Sequence, residues 1–129
     1  MPFDVAPSPD KTLAGQTAYF DGVAAEDSVS RDYLSRGYSL VAQRWCGRCG
    51  EVDLIFKSQS EYVFVEVKKA KTLDIAATRL SDRQLWRIAR SAEDYLANTL
   101  NDPFAVMRLD LAMVDQQGDL RILEGLSLY

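Results

Sequence analysis

An α/β domain is what this sequence predicts, and three observations carry the prediction. Two segments set apolar residues at helical spacing, one from Gly22 to Arg36 and one from Ser81 to Leu100. Between and after them lie runs that alternate apolar and polar residues with period two, the pattern of half-buried strands. Finally, 129 residues suit one hydrophobic core rather than two. No internal repeat or second domain interrupts the pattern.

Each element has its own justification. Residues 1–15 hold three of the four prolines and little apolar periodicity, which predicts a mobile arm ahead of a domain over 16–129. In the first helix Ala25, Val29 and Tyr33 recur at four-residue spacing, and Gly37 supplies the C-terminal cap. YSLVAQRW follows as a strand, and a Gly/Cys segment turns the chain into EVDLIF. There Val52, Leu54 and Phe56 share one face while Glu51, Asp53 and Ile55 share the other. In YVFVEVK the valines 63, 65 and 67 stand together, and Tyr62, Phe64, Glu66 and Lys68 point the opposite way. The lysine-serine-glutamine-serine link at 57–60 makes these two runs a hairpin.

Register follows from the faces. Residues directly opposite in a sheet share a face, so Asp53 falls opposite Glu66 or two residues from it. Lys68 then lies one pleat on, about 6.5–7 Å along the strand. In the second helix Ser81 is the cap and Gln84 closes a capping box. Leu85, Ile88, Ala92 and Leu96 make its core stripe, Arg83, Arg87 and Arg90 its solvent side, and Gln84 its border. FAVMRLDLAMVD and DLRILEGLSL close the chain as two strands around the turn residues Gln116, Gln117 and Gly118.

Composition narrows the function classes. A hydrophobic content of 47% with 26% charged residues excludes a disordered chain. No apolar run approaches the ~20 residues that cross a bilayer. The N-terminus lacks the basic start and apolar middle of a signal peptide, so the cytoplasm is the expected location, with no membrane partner. A net charge of −4 argues against a protein that simply coats nucleic acid. Yet Lys68 to Arg90 carries seven basic residues against Asp74 and Asp82, a local charge of +5. Cys46 and Cys49 form CGRC. With no histidine and no other cysteine, one chain cannot complete a typical structural zinc site. Two partly buried thiols at a turn are the simpler expectation beside a redox or metal role.

The hairpin raises the chemical question, because charges taken out of water are costly unless something pairs with them. Asp53 and Glu66 are the oxygen ligands that a hard cation, Mg²⁺ or Mn²⁺, prefers, with the Val67 carbonyl between them. Such an ion lowers the pKa of a bound water and stabilises charge on a phosphoryl oxygen. Lys68 would orient that water or neutralise developing negative charge. The competing account is a cross-strand salt bridge on a solvated face. Arg83, Arg87 and Arg90, with Lys69 in the same basic segment, are candidates for phosphate contact. Trp86 is a candidate for stacking on an unpaired base. Against these stand a solvated arginine face and a tryptophan that covers a neighbouring helix or a dimer contact.

The surroundings of these residues add to the reading. GVAAE, DYLSRGYSLVAQRW, GEVDLI, VFVEVK, TLDIAATRLSDRQLWRIARSAEDYL and RLDLAMV together resemble the bacterial YraN-type proteins. That family has the PD-(D/E)XK fold, a restriction-endonuclease-like fold shared with archaeal Holliday-junction resolvases. The resemblance runs from about Gly22 to Val114 and implies a mixed sheet flanked by helices, with Asp53, Glu66 and Lys68 at a nuclease-type centre. It implies that Glu26, on the first helix, helps hold the metal; an ordinary exposed helix glutamate is the alternative. Gln84 matches a second-helix position where relatives carry glutamine or lysine, beside its capping role. Glu51 reads as a supporting or structural acid. Leu85 and Trp86 depart from the basic or polar residues that relatives often carry there.

Two functions are therefore expected. One is a metal-dependent endonuclease acting on DNA, branched or single-stranded, with Asp53, Glu66 and Glu26 as metal ligands and Lys68 as electrostatic catalyst. The other is a catalytically inactive module on the same fold that binds nucleic acid or a protein. Paired cuts at a junction would also require a symmetric homodimer.

Overall fold

The computed structural model describes residues 9–127, with side chains described from Gly22 onward. Helix α1 (Pro9–Ser35) leads into a five-stranded sheet of β1 (Ser39–Gly47), β2 (Gly50–Lys57), β3 (Tyr62–Lys69), β4 (Met107–Val114) and β5 (Leu120–Leu123). Two helices, α2 (Leu73–Ala77) and α3 (Asp82–Asp94), lie on the connection between β3 and β4. The strands stand in chain order, and every neighbouring pair is antiparallel except β3 and β4. A parallel pair needs a crossover, and α2 with α3 provides it.

The sheet is covered on both faces. Ala25, Val29 and Tyr33 of α1 pack on Leu54, Phe56, Val63, Val65, Ala112 and Val114. On the other face Leu85, Ile88 and Ala92 of α3 pack with Tyr95 and Leu96 on Ile55, Phe64 and Leu109. Ala76 of α2 joins Leu111 and Met113. The result is a single α/β domain with an open mixed sheet between helices, consistent with a restriction-endonuclease-like fold.

Several ends differ from the sequence expectation. α1 begins at Pro9 rather than near Gly22; a proline is tolerated in the first turn, where its missing N–H has no partner to lose. Of the arm expected over residues 1–15, residues 1–8 lie outside the described residues. At its other end α1 closes as expected: Gly37 at φ +94° lets its N–H reach the Leu34 carbonyl while Tyr38 N–H reaches Tyr33. α2 was not expected; the Thr72 hydroxyl caps it by accepting from Ile75 N–H at 3.1 Å. The long helix expected to Leu100 stays α-helical to Asp94 and continues as a π-helical turn, Tyr95–Thr99. That change of pitch turns both Tyr95 and Leu96 into the core. The last two strands are shorter than expected, and Phe104 stands 93% exposed ahead of β4.

The hairpin departs from strict alternation at one place. Val52 packs on the α3 side with Ile55 and Phe64, not with Leu54 and Phe56. The ladder explains why. Paired residues between β2 and β3 run from Lys57–Tyr62 to Leu54–Val65 and stop there. Beyond that point β2 continues against β1 as far as Gly47–Gly50, and β3 continues against β4 as far as Lys69–Val114. The sheet forks. β1 is irregular beside the fork, with a register shift between Leu40 and Ala42 and a left-handed backbone at Arg44, φ +50°.

Candidate active site

Asp53 is the first β2 residue past the last rung. Its Oδ2 accepts from Val67 N–H at 2.8 Å, so a side chain stands in for the backbone partner that the fork removes. The register set by Leu54–Val65 brings Asp53 level with Glu66, as the faces required. Glu66 is 6% exposed, and Lys68 Nζ lies 3.3 Å from its Oε2. Two carboxylates and an ammonium group thus meet where neighbouring strands part.

The electrostatics are unbalanced. Burial pushes Glu66 up to about 7, and the adjacent Asp53 carboxylate adds to the rise by its charge and by a hydrogen bond. Lys68 opposes this but does not cancel it. The buried Glu66 carboxyl therefore resists taking a full negative charge beside Asp53, even with Lys68 at hand. Its carboxylate oxygens are the kind of ligand that a hard divalent cation accepts.

Glu26 approaches from α1. Burial raises its pKa first, and Asp53 and Glu51 raise it further, which puts it within the field of the site. Its Oε1, however, accepts from Arg44 Nε at 3.1 Å. Among the described residues no three Asp, Glu, Cys or His side chains gather as a ready cage for an ion. Asp53 and Glu66 form a close pair, with Glu26 tied to one side.

The remaining sequence candidates stand on α3 and at the end of β3. Gln84 is half-buried, its Oε1 accepts from Ser81 N–H at 3.2 Å, and the Ser81 hydroxyl accepts from Gln84 N–H at 3.1 Å. The capping box is formed. Arg83, Arg87, Arg90 and Trp86 are exposed along α3, and Lys69 is exposed at the end of β3. Arg90 faces Glu93 at 3.8 Å. Arg87 lies across Gly50 so closely that a Cβ there would stand 2.8 Å from its Cδ, and this places the guanidinium arm at the start of β2. Glu51 is exposed and lies across from Cys46. Cys46 and Cys49 are free and exposed, a correction to the expected partial burial: both stand at the tight turn joining β1 to β2, open to solvent.

Sequence reasoning missed two features. One is the left-handed backbone at Arg44 with its ion pair to Glu26, which no strand pattern signals. The other is a buried network on the far side of the sheet. Asp110 accepts from Tyr33 Oη at 2.6 Å, from Arg108 Nε and Nη2 at 2.9 Å each, and from Gly125 N–H at 3.1 Å. Arg108 also reaches Glu61 at 3.0 Å. An acid between leucines in RLDLAMV was the signal available.

Comparison with known proteins agrees with the family reading of the sequence. The pattern of the Uncharacterised protein family UPF0102 matches residues 25–114. A UPF0102 protein of Ruegeria pomeroyi is 47% identical over 117 residues, covering 89% of this chain and 95% of that protein. One from Roseobacter denitrificans is 45% identical over 112 residues, 87% of each chain. Another, from Dinoroseobacter shibae, is 40% identical over 114 residues, 88% of this chain and 85% of that protein. The matched span runs from α1 through the forked hairpin to the end of β4, and on that footing the chain belongs to the UPF0102 family.

Proposed function

We propose that this protein hydrolyses phosphodiester bonds in DNA, with Mg²⁺ or Mn²⁺ held by Asp53 and Glu66 and with Lys68 beside them. One observation carries the reading: two carboxylates from parting strands converge, and the buried one resists ionisation although a lysine already pairs with it. Such a pair is stabilised by a further positive charge. A divalent cation bound there would lower the pKa of a water and draw charge from a phosphoryl oxygen.

The chain's own groups supply the rest. Val67 N–H fixes the Asp53 carboxylate, leaving its second oxygen for ligation. Lys68 stabilises the negative charge that grows on the phosphate as the bond to the leaving oxygen stretches. Arg87, at the mouth of the hairpin, meets a neighbouring phosphate, and Arg83 and Arg90 extend that track along α3. Trp86, 47% exposed between them, stacks on an unpaired base. Branched and single-stranded DNA both present such bases; symmetric cutting of a junction would call for two copies of the chain.

The test is cleavage of labelled branched and single-stranded DNA with Mg²⁺ or Mn²⁺. Wild type is expected to cut, and Asp53→Ala and Lys68→Ala to lose at least about 10²-fold in rate, the scale for removing one group that stabilises transition-state charge. Circular dichroism checks that both variants fold. Unimpaired cleavage by both would refute the assignment. Salt-sensitive DNA binding without cleavage by wild type would favour the binding-module reading instead.

A further inference from the structure

Glu26 lies within the field of the carboxylate pair and yet is committed elsewhere. Its side chain is 17% exposed and bound to Arg44, whose own side chain is 39% exposed. Arg44 sits directly across from Asp53, because Gln43 pairs with Leu54 and Trp45 with Val52. It holds φ +50°, a region that residues with side chains rarely occupy unless their surroundings impose it. The ion pair to α1 spans from that turned residue to the helix, so the strained position and the held carboxylate belong to one device.

A guanidinium binds carboxylate and phosphate through the same planar fork of donors. Of the two partners in this ion pair, Arg44 is the one a nucleic-acid strand can reach, since Glu26 is the more deeply covered. We propose that Arg44 is a latch: it holds Glu26 away from the cation until a DNA phosphate takes the guanidinium, whereupon Glu26 completes the ligand set with Asp53 and Glu66. This rests on the cation site proposed above. Arg44 is then a positioning residue that acts through Glu26. Cation and DNA reinforce one another, and by linkage each tightens the other's binding to the same degree.

Calorimetric titration of the full chain with Mn²⁺ tests the latch without relying on turnover. Arg44→Gly suits the left-handed backbone and frees Glu26, so its Mn²⁺ affinity rises about tenfold, within the range usual for coupled sites. Arg44→Gly with Glu26→Gln loses that gain. A double variant that keeps it would show that removing a positive charge is enough, and the latch is overturned. In anisotropy titrations of a labelled single strand, Mn²⁺ tightens DNA binding by wild type more than by Glu26→Gln; equal tightening also overturns it. Should neither wild type nor Arg44→Gly bind Mn²⁺, the cation site itself fails and the latch with it. Binding that Asp53→Ala abolishes but the Arg44 and Glu26 changes leave alone sinks the latch and spares the site.

Discussion

Glu66 shows how one buried carboxyl links pH to stability. In the unfolded chain it titrates near the ordinary value of 4.5, and in the fold near 7. Between those values the folded protein keeps a proton that the unfolded chain has released, so stability falls as pH rises through the window. Without divalent cation, wild type should unfold at lower urea concentration at pH 8 than at pH 5 on account of this group. Glu66→Gln should flatten that difference, and Mn²⁺ should restore stability at pH 8 in wild type but not in the variant. Asp110 makes the opposite case, a buried charge that is fully met. Arg108→Met leaves that carboxylate in the core without its guanidinium and should cost about 3–5 kcal/mol in urea unfolding. Tyr33→Phe removes one of several donors and should cost less, about 1–3 kcal/mol.

Elements tell which parts of the chain were legible beforehand. α3 was readable because Ser81, Gln84 and the stripe Leu85, Ile88, Ala92, Leu96 are local signals, and the capping box forms as the sequence indicates. Ser81→Ala should cost about 1 kcal/mol in thermal or urea unfolding. Gln84→Ala should cost no more, since its amide serves the same cap. Loss of DNA cleavage in Gln84→Ala beyond that change in stability would give the residue a second task. The π-helical turn at Tyr95 was not readable, because its phase is set by packing of Tyr95 edge-on against Trp45 and Phe64, contacts distant in sequence. Gly50 is similar. Its φ of +133° and the Arg87 chain lying over it are tertiary facts. Gly50→Ala should destabilise by about 1–3 kcal/mol and displace Arg87, read by unfolding and by DNA affinity.

For the whole molecule, the helices, the strands and the meeting of Asp53 with Glu66 followed from periodicities, while the mixed sheet layered between helices was what the family resemblance implied. What the alternation could not convey is the fork. Period two assumes a continuous ladder, and the ladder ends at Leu54–Val65, the place where Val52 changes sides and Asp53 borrows the Val67 amide. The site lies where the regular pattern fails, because a strand pair that stayed zipped would leave no room between its carboxylates. No helix among the described residues is long and apolar enough to cross a membrane. The outermost ribbon bears a related mark. β1 has the slip at Leu40–Ala42 and the turned residue at Arg44, and its residues beside solvent include Gln43 and Arg44, with Arg48 in the turn that follows. A foreign chain seeking to zip along that rim finds its rungs out of step partway along and charges in its path. The irregular strand that flanks the fork on one side thus also guards the border against fibre growth on the other.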